Sequence, residues 1–477
     1  MHSRSLSGSR YEIQPLESRR LLTVAPAGAE VAVPLPVDPP LFEFDMAVGG
    51  GGSFIVVSDP FGFGGAPVIA VRYSAAGEQV GGRITIDDAG FNAAVSMDAD
   101  GDAVVAYQPD LTRVDIVRIA RTGAVSASQQ IDTVHARERI SDVRVSMDDA
   151  GGFFVAWTRE TDVGEVFQYA RAFDAAGQPR GPRVEVRIGG IANPHSHLGI
   201  AALRDGSGAI VTHVEVAHTH DLLYAHRVST SAVLSPQTPP QEIAANSYEP
   251  EAATYPDGSF IVGMTTVLVR NDLYGFGTVQ RFDASGAAVG EPIKLRGSSF
   301  RVRSVTLHPL PDGGFLAGYV YAQDESTEDF DAPPRVATTY VERFTREGVS
   351  ITGPVALDVG PAEAHRVGVG RDGAGVVAYL QQPAIELGFG PFFTGELPGE
   401  VHFRRLTVAG TRLDGAELYV NGADGNDHII VERVRDRLWV NVNGIVEGFN
   451  AADVQFLSIS GLGGDDDVVD TSGLQCT

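Results

Sequence analysis

The chain has 477 residues, enough for two or three ordinary domains or for one large repeat domain with appendages. Its 61 Asp and Glu against 36 Lys and Arg give a net charge of −25, which disfavours nucleic acid or an anionic membrane as partner. The single cysteine, Cys476, excludes an intramolecular disulfide and a thiolate metal cluster, and no run of 18 apolar residues is present to cross a membrane as a helix.

With 56 Gly, 27 Pro and 43% hydrophobic residues, the composition favours many short strands separated by turns. Residues 1–40 are basic at first and then rich in Ala, Val and Pro, with an apolar stretch too interrupted for a signal-peptide core. Within them Pro15-Leu16-Glu17-Ser18-Arg19-Arg20-Leu21-Leu22 resembles the Leu-Glu-x-Arg-x-Leu-Leu motif of large exported proteins of planctomycete-type bacteria, with Ser18 where Pro is commonest. The resemblance implies a sorting or export leader, largely disordered, and a secreted or cell-envelope location.

From residue 41 a unit of about fifty residues repeats. Short apolar runs follow a Gly-rich turn at Phe54, Ala103, Phe153, Ala209, Phe260, Phe315 and Gly375, with starts separated by 49, 50, 56, 51, 55 and 60 residues. Runs of four or five β-branched or aromatic residues bounded by Gly and Asp read as strands. An Arg followed by an apolar residue recurs in phase at Arg72, Arg118, Arg171, Arg227, Arg281, Arg343 and Arg405, with a Gly a few residues on in every copy but that of Arg227, marking a strand end and a tight hairpin. Alternating segments precede the Asp/Gly turns, for example Ala93–Met97 and Val143–Met147. Counting gives three clear strands per unit, usually a fourth, and seven units, matching four-stranded antiparallel blades. The expected fold is all-β, a seven-bladed β-propeller over residues 41–415. The last unit loses its fourth strand near Thr411, and Glu30 to Pro34 is the segment expected to replace it and close the ring.

Residues 416–477 are expected to form a small Asp/Gly-rich β segment. Gly422–Ile429 and Gly461–Val468 both resemble the Gly-Gly-x-Gly-x-Asp-x-apolar-x repeat of calcium-binding RTX proteins. That resemblance implies Ca²⁺ held by Asp424, Asp427, Asp465, Asp466 and Asp467. The copies lie 39 residues apart, Asp427 to Asp466, a spacing that argues against stacking as consecutive nonapeptide turns and leaves two plain β-turns as the other reading.

Two further oxygen- or nitrogen-rich groups are candidates. Asp98, Asp100 and Asp102 resemble the calcium loops of integrin-type propellers, though a single Asp before Gly is also what a type I turn selects. His195, His197, His218 and His220 fall in a His-rich fourth unit, alternate in pairs along the chain and could meet around a transition metal; polar surface strands are the alternative. No Gly-x-Ser-x-Gly elbow, phosphate loop or plausible cysteine nucleophile occurs. The alternating segments carry Ala, Val, Ser and Arg rather than Asp or Glu.

The sequence reading is therefore a secreted or cell-surface, non-catalytic binding, adhesion or scaffold protein, monomeric, with a glycan or protein ligand at a propeller face. The rival is a polysaccharide-acting glycoside hydrolase or lyase whose site lies on the propeller axis, recognisable by a cleft there lined by two or more buried acids, one with a raised pKa.

Overall fold

The computed structural model describes residues 24–35, 41–60, 67–186, 198–216, 221–231, 233, 241–243, 247–266, 276–295, 302–310, 313–323, 336–357, 362–370, 374–381, 400–408, 410–414, 416–421, 428–442, 445–460 and 467–476. Seven four-stranded antiparallel sheets form a seven-bladed β-propeller. The first strands of the blades are Leu41–Val48, Phe91–Met97, Arg139–Met147, Leu198–Ala202, Ser247–Thr254, Val302–Pro309 and Ala362–Val369. Each first strand packs against the next around the ring, and that of blade 7 packs against that of blade 1. The repeated apolar runs are the second strands, buried because a blade has a neighbour on both of its faces: Phe54 to Val57, Ala103 to Tyr107 and Phe153 to Trp157 are all at most 1% exposed.

The aromatic residues of the repeat meet across the second and third strands. Phe54 stacks on Tyr73 at 4.8 Å between ring centroids, Phe153 on Phe173 at 4.9 Å, Phe260 on Phe282 at 4.6 Å and Phe315 on Phe344 at 4.8 Å. The outer hairpin then turns on glycine: Gly177 has φ +82°, and a Cβ there would stand 3.3 Å from Gln129 Oε1 of the preceding blade.

The repeated arginine has a structural task that the periodicity alone did not reveal. Arg72 of blade 1 donates to Gly101 O (2.6 Å), Ala120 O (3.0 Å) and Ile119 O (3.4 Å) of blade 2. Arg118 reaches Ala175 O of blade 3, Arg227 reaches Ala284 O of blade 5 at 3.1 Å, and Arg281 reaches Arg346 O of blade 6 at 2.6 Å. The guanidinium at each of these strand ends thus clasps the hairpin of the next blade. Blade 3 differs, since Arg171 donates to its own Gly181 O at 3.1 Å and back to Ile131 O of blade 2 at 3.4 Å.

The outermost strand of blade 7 comes from the other end of the chain. Val24–Ala32 pairs antiparallel with Glu400–Val408, from Val24 opposite Val408 to Ala32 opposite His402, and Val33 N donates to Val401 O at 2.8 Å. This strand begins six residues before Glu30. Among the described residues, no helix is long and apolar enough to cross a membrane.

The C-terminal region holds two more four-stranded sheets that share one core, including Leu418, Val420, Ile429, Val431, Leu438, Val440 and Leu457. The two Gly/Asp segments, 39 residues apart, lie mostly outside the described residues; the strands that flank them are described. Glu417–Asn421 pairs in parallel with Phe456–Ser460, and His428–Val434 pairs in parallel with Asp467–Thr471. Asn421 lies opposite Ser460 and His428 opposite Asp467, so the strands entering and leaving both Gly/Asp segments run side by side. A hairpin, Arg437–Val442 with Ile445–Asn450, occupies the intervening residues without disturbing that register.

Candidate active site on the propeller axis

A cavity of about 290 Å³ runs along the axis, lined by the first strands of all seven blades. One column of residues can be followed around it by strand register. Asp45, Ala94, Arg144, Gly199, Glu251, Thr306 and Arg366 each face the fourth residue of the second strand's apolar run, respectively Val57, Ala106, Ala156, Thr212, Gly263, Gly318 and Ala378. In blades 2, 3 and 5 a register shift ends at this position. Bulges of this kind re-aim the side chain that follows them. Asn92, Asp142 and Ser304, two residues earlier in their strands, have φ of 48°, 51° and 53°.

The column is a ring of mixed charge. Asp45 accepts from Arg366 Nε at 2.8 Å and, through its other oxygen, from the Val95 backbone N–H of blade 2 at 2.8 Å. It therefore ties blades 7, 1 and 2 together at the axis. Arg366 also donates to His365 O at 2.9 Å. Burial works against its charge, but the carboxylates of Asp45 and Glu251 outweigh that effect and hold the guanidinium above its ordinary pKa, with Arg144 opposing. Arg144 is bound to Asp142 at 2.9 Å and donates to Val143 O at 3.1 Å, while Asp142 accepts the Leu198 N–H of blade 4 at 2.6 Å. Ser96 and Ser146, two residues beyond the column, clip adjacent blades by accepting from Met147 N at 3.0 Å and Ala202 N at 2.9 Å.

Asp98 lines one end of the same cavity. Burial pushes its carboxyl above the usual range, against the backbone amides that hold it. One oxygen of Asp98 accepts from Asp100 N at 3.0 Å and Asp102 N at 2.9 Å, and Asp102 accepts from Arg121 N at 2.6 Å. These contacts are those of a turn whose carboxylate is committed to backbone, with Asp102 joined to the outer hairpin of its own blade. Among the described residues no group of three His, Cys, Asp or Glu is gathered for a metal. Asp467 sits on an exposed strand, its carboxylate 2.9 Å from His428 Nδ1. Asp424, Asp427, Asp465 and Asp466, and His195, His197, His218 and His220, lie outside the described residues.

No family model matches the chain and no curated protein matches it in sequence. Solved structures are similar to it at low identity. A protein of unknown function from Dyadobacter fermentans is 9% identical, with 81% of this chain and 99% of that chain covered and a TM-score of 0.45. The polysaccharide lyase Uly1 is 9% identical, with 76% and 90% covered and a TM-score of 0.43. The α-L-arabinofuranosidase Arb93A from Fusarium graminearum is 12% identical, with 66% and 92% covered and a TM-score of 0.42.

Two of the three are named as carbohydrate-acting enzymes, whereas the sequence reading expected a non-catalytic binding, adhesion or scaffold protein. That expectation is corrected where its physical ground fails: carboxylates absent from the alternating segments, Asp45 and Glu251, do line the axis. They were missed because neither Leu41–Val48 nor Ser247–Thr254 was counted among the alternating segments; Ser247–Thr254 lacks the pattern, whereas Phe42–Met46 shows it and was passed over. Aligning all seven first strands on their turns would have exposed the column Asp, Ala, Arg, Gly, Glu, Thr, Arg.

Proposed function

We propose that the protein is a secreted enzyme acting on polysaccharide, a glycoside hydrolase or lyase, with its site in the axial cavity. The observation that carries this reading is the set of carboxylates and guanidinia brought to one ring by strand register, within a cavity large enough for a sugar ring. Asp45 is engaged by Arg366 and by a backbone amide, so it serves to position Arg366. Glu251, on the opposite side of the ring from Asp45, is the residue assigned to proton transfer at the glycosidic oxygen or at a sugar carbon. Arg144 and Arg366 supply fixed positive charge where negative charge develops.

The test is incubation of the full chain with a panel of neutral and acidic polysaccharides. New reducing ends are measured for hydrolysis, and absorbance of unsaturated ends for elimination. Wild type is expected to release product from at least one, and Glu251→Gln to lower the rate by about a hundredfold or more, the usual worth of general acid–base catalysis, without a change in melting temperature. No product from any polysaccharide, or an unimpaired Glu251→Gln variant, contradicts the proposal.

The C-terminal sheets support a second proposal, that Ca²⁺ binds between the two Gly/Asp segments. Their flanking strands lie in parallel register on both sides, which is what two stacked turns require. Asp424, Asp427, Asp465 and Asp466 are the carboxylates assigned to it, whereas Asp467 is engaged by His428. Isothermal titration with calcium should show binding in the full chain and its loss on removal of residues 416–477; retained binding contradicts this assignment.

A further inference from the structure

Resting on the reading of the axial cavity as a carbohydrate site, we propose that its substrate is an acidic sugar, a uronate or a sulfated residue, whose anionic group is received by Arg144. Ala94 and Gly199 flank Arg144 on the two neighbouring blades, the two smallest residues of the column, so neither neighbour in the column sets a long side chain beside the guanidinium. The Arg144 side chain is 35% exposed although it sits on the axis.

Arg144 is also oriented in advance. Asp142 holds one guanidinium nitrogen at 2.9 Å and is itself fixed by the Leu198 N–H, in a left-handed backbone conformation that Asp tolerates better than most residues. An arginine held in this way presents a planar fork, suited to the two oxygens of a carboxylate or a sulfate. Across the ring, Arg366 adds a second positive charge whose place is fixed by Asp45.

Among the described lining residues Phe44 is the one Phe, Tyr or Trp, and it is 1% exposed and packed into the blade core, whereas Arg144 and Arg366 line the cavity with charge.

The experiment is calorimetric titration of the full chain with short oligosaccharides of equal length: an oligouronate, a sulfated oligosaccharide and an uncharged one. Both wild type and Arg144→Gln are titrated. An acidic ligand is expected to bind wild type at least about tenfold more tightly than the uncharged one, and Arg144→Gln to lose about tenfold for the acidic ligand alone. Whichever acidic ligand binds more tightly identifies the anion as carboxylate or sulfate. Arg144→Lys, which keeps the charge but not the fork, is expected to fall between the two proteins. Equal affinity of wild type for acidic and uncharged ligands overturns the proposal without need of a variant, as does an Arg144→Gln protein that binds acidic ligand unchanged. Acidic ligand bound but never cleaved would remove the enzyme reading and leave this one standing. An uncharged polysaccharide cleaved while acidic ones are ignored would do the reverse.

Discussion

His226 and His365 are buried imidazoles on blades 4 and 7, 3% and 0% exposed. Burial lowers His226 to about 4, and burial together with the Arg366 charge lowers His365 to about 3, a backbone hydrogen bond at Gly318 opposing. Both start from 6.5, so the unfolded chain takes up the protons first as pH falls. Stability is therefore full above pH 6.5 and is lost as pH drops towards 3 to 4, by roughly 2–3 kcal/mol per histidine at pH 4.5. Denaturant midpoints measured from pH 7 to 4.5 should fall in wild type and fall less in His365→Gln. Parallel curves would contradict the assignment. At this scale the sequence was least legible. Asp98 could be read as a turn former because its neighbours share the pattern, but Asp45, Arg144, Glu251 and Arg366 belong to a column with no common residue type, only a register. Register is a property of paired strands, and a bulge before the position hides it from any fixed alternation.

The elements themselves were legible, because each depends on local rules. The apolar runs starting at Phe54, Ala103, Phe153, Phe260 and Phe315 open second strands at those residues, and the glycine after Arg72, Arg118, Arg171, Arg281 and Arg343 closes a hairpin. The arginine looked like part of the turn, whereas most copies act between blades. Arg72 is 5% exposed and donates three hydrogen bonds to carbonyls of blade 2. Arg72→Ala is expected to lower unfolding free energy by about 2–4 kcal/mol, since a buried, charged donor and its packing are both lost. Arg72→Lys should recover only part of it, because an ammonium cannot reach three carbonyls with a planar fork. Urea unfolding of the three proteins measures this, and a loss below about 1 kcal/mol for Arg72→Ala would show that the clasp contributes little.

The whole molecule is a ring whose last sheet is completed by its first strand. Removing residues 1–35 strips Val24–Ala32 from Glu400–Val408 and leaves the outer edge of blade 7 unpaired. The melting temperature of that deletion should fall by about 5 °C or more, and an unchanged value would mean that the strand adds nothing to closure. Ring closure also matters for the axis, because Asp45 of blade 1 and Arg366 of blade 7 meet across the same seam. Seven dissimilar first strands thus combine into one charged cavity that no single repeat contains. The most direct test of that account is a crystal structure of the Glu251→Gln protein with a bound oligosaccharide substrate. Sugar density in the axial cavity, beside Arg144 and the substituted residue 251, is the predicted result; sugar bound on an outer blade surface or on the C-terminal sheets, with the axis empty, would contradict it.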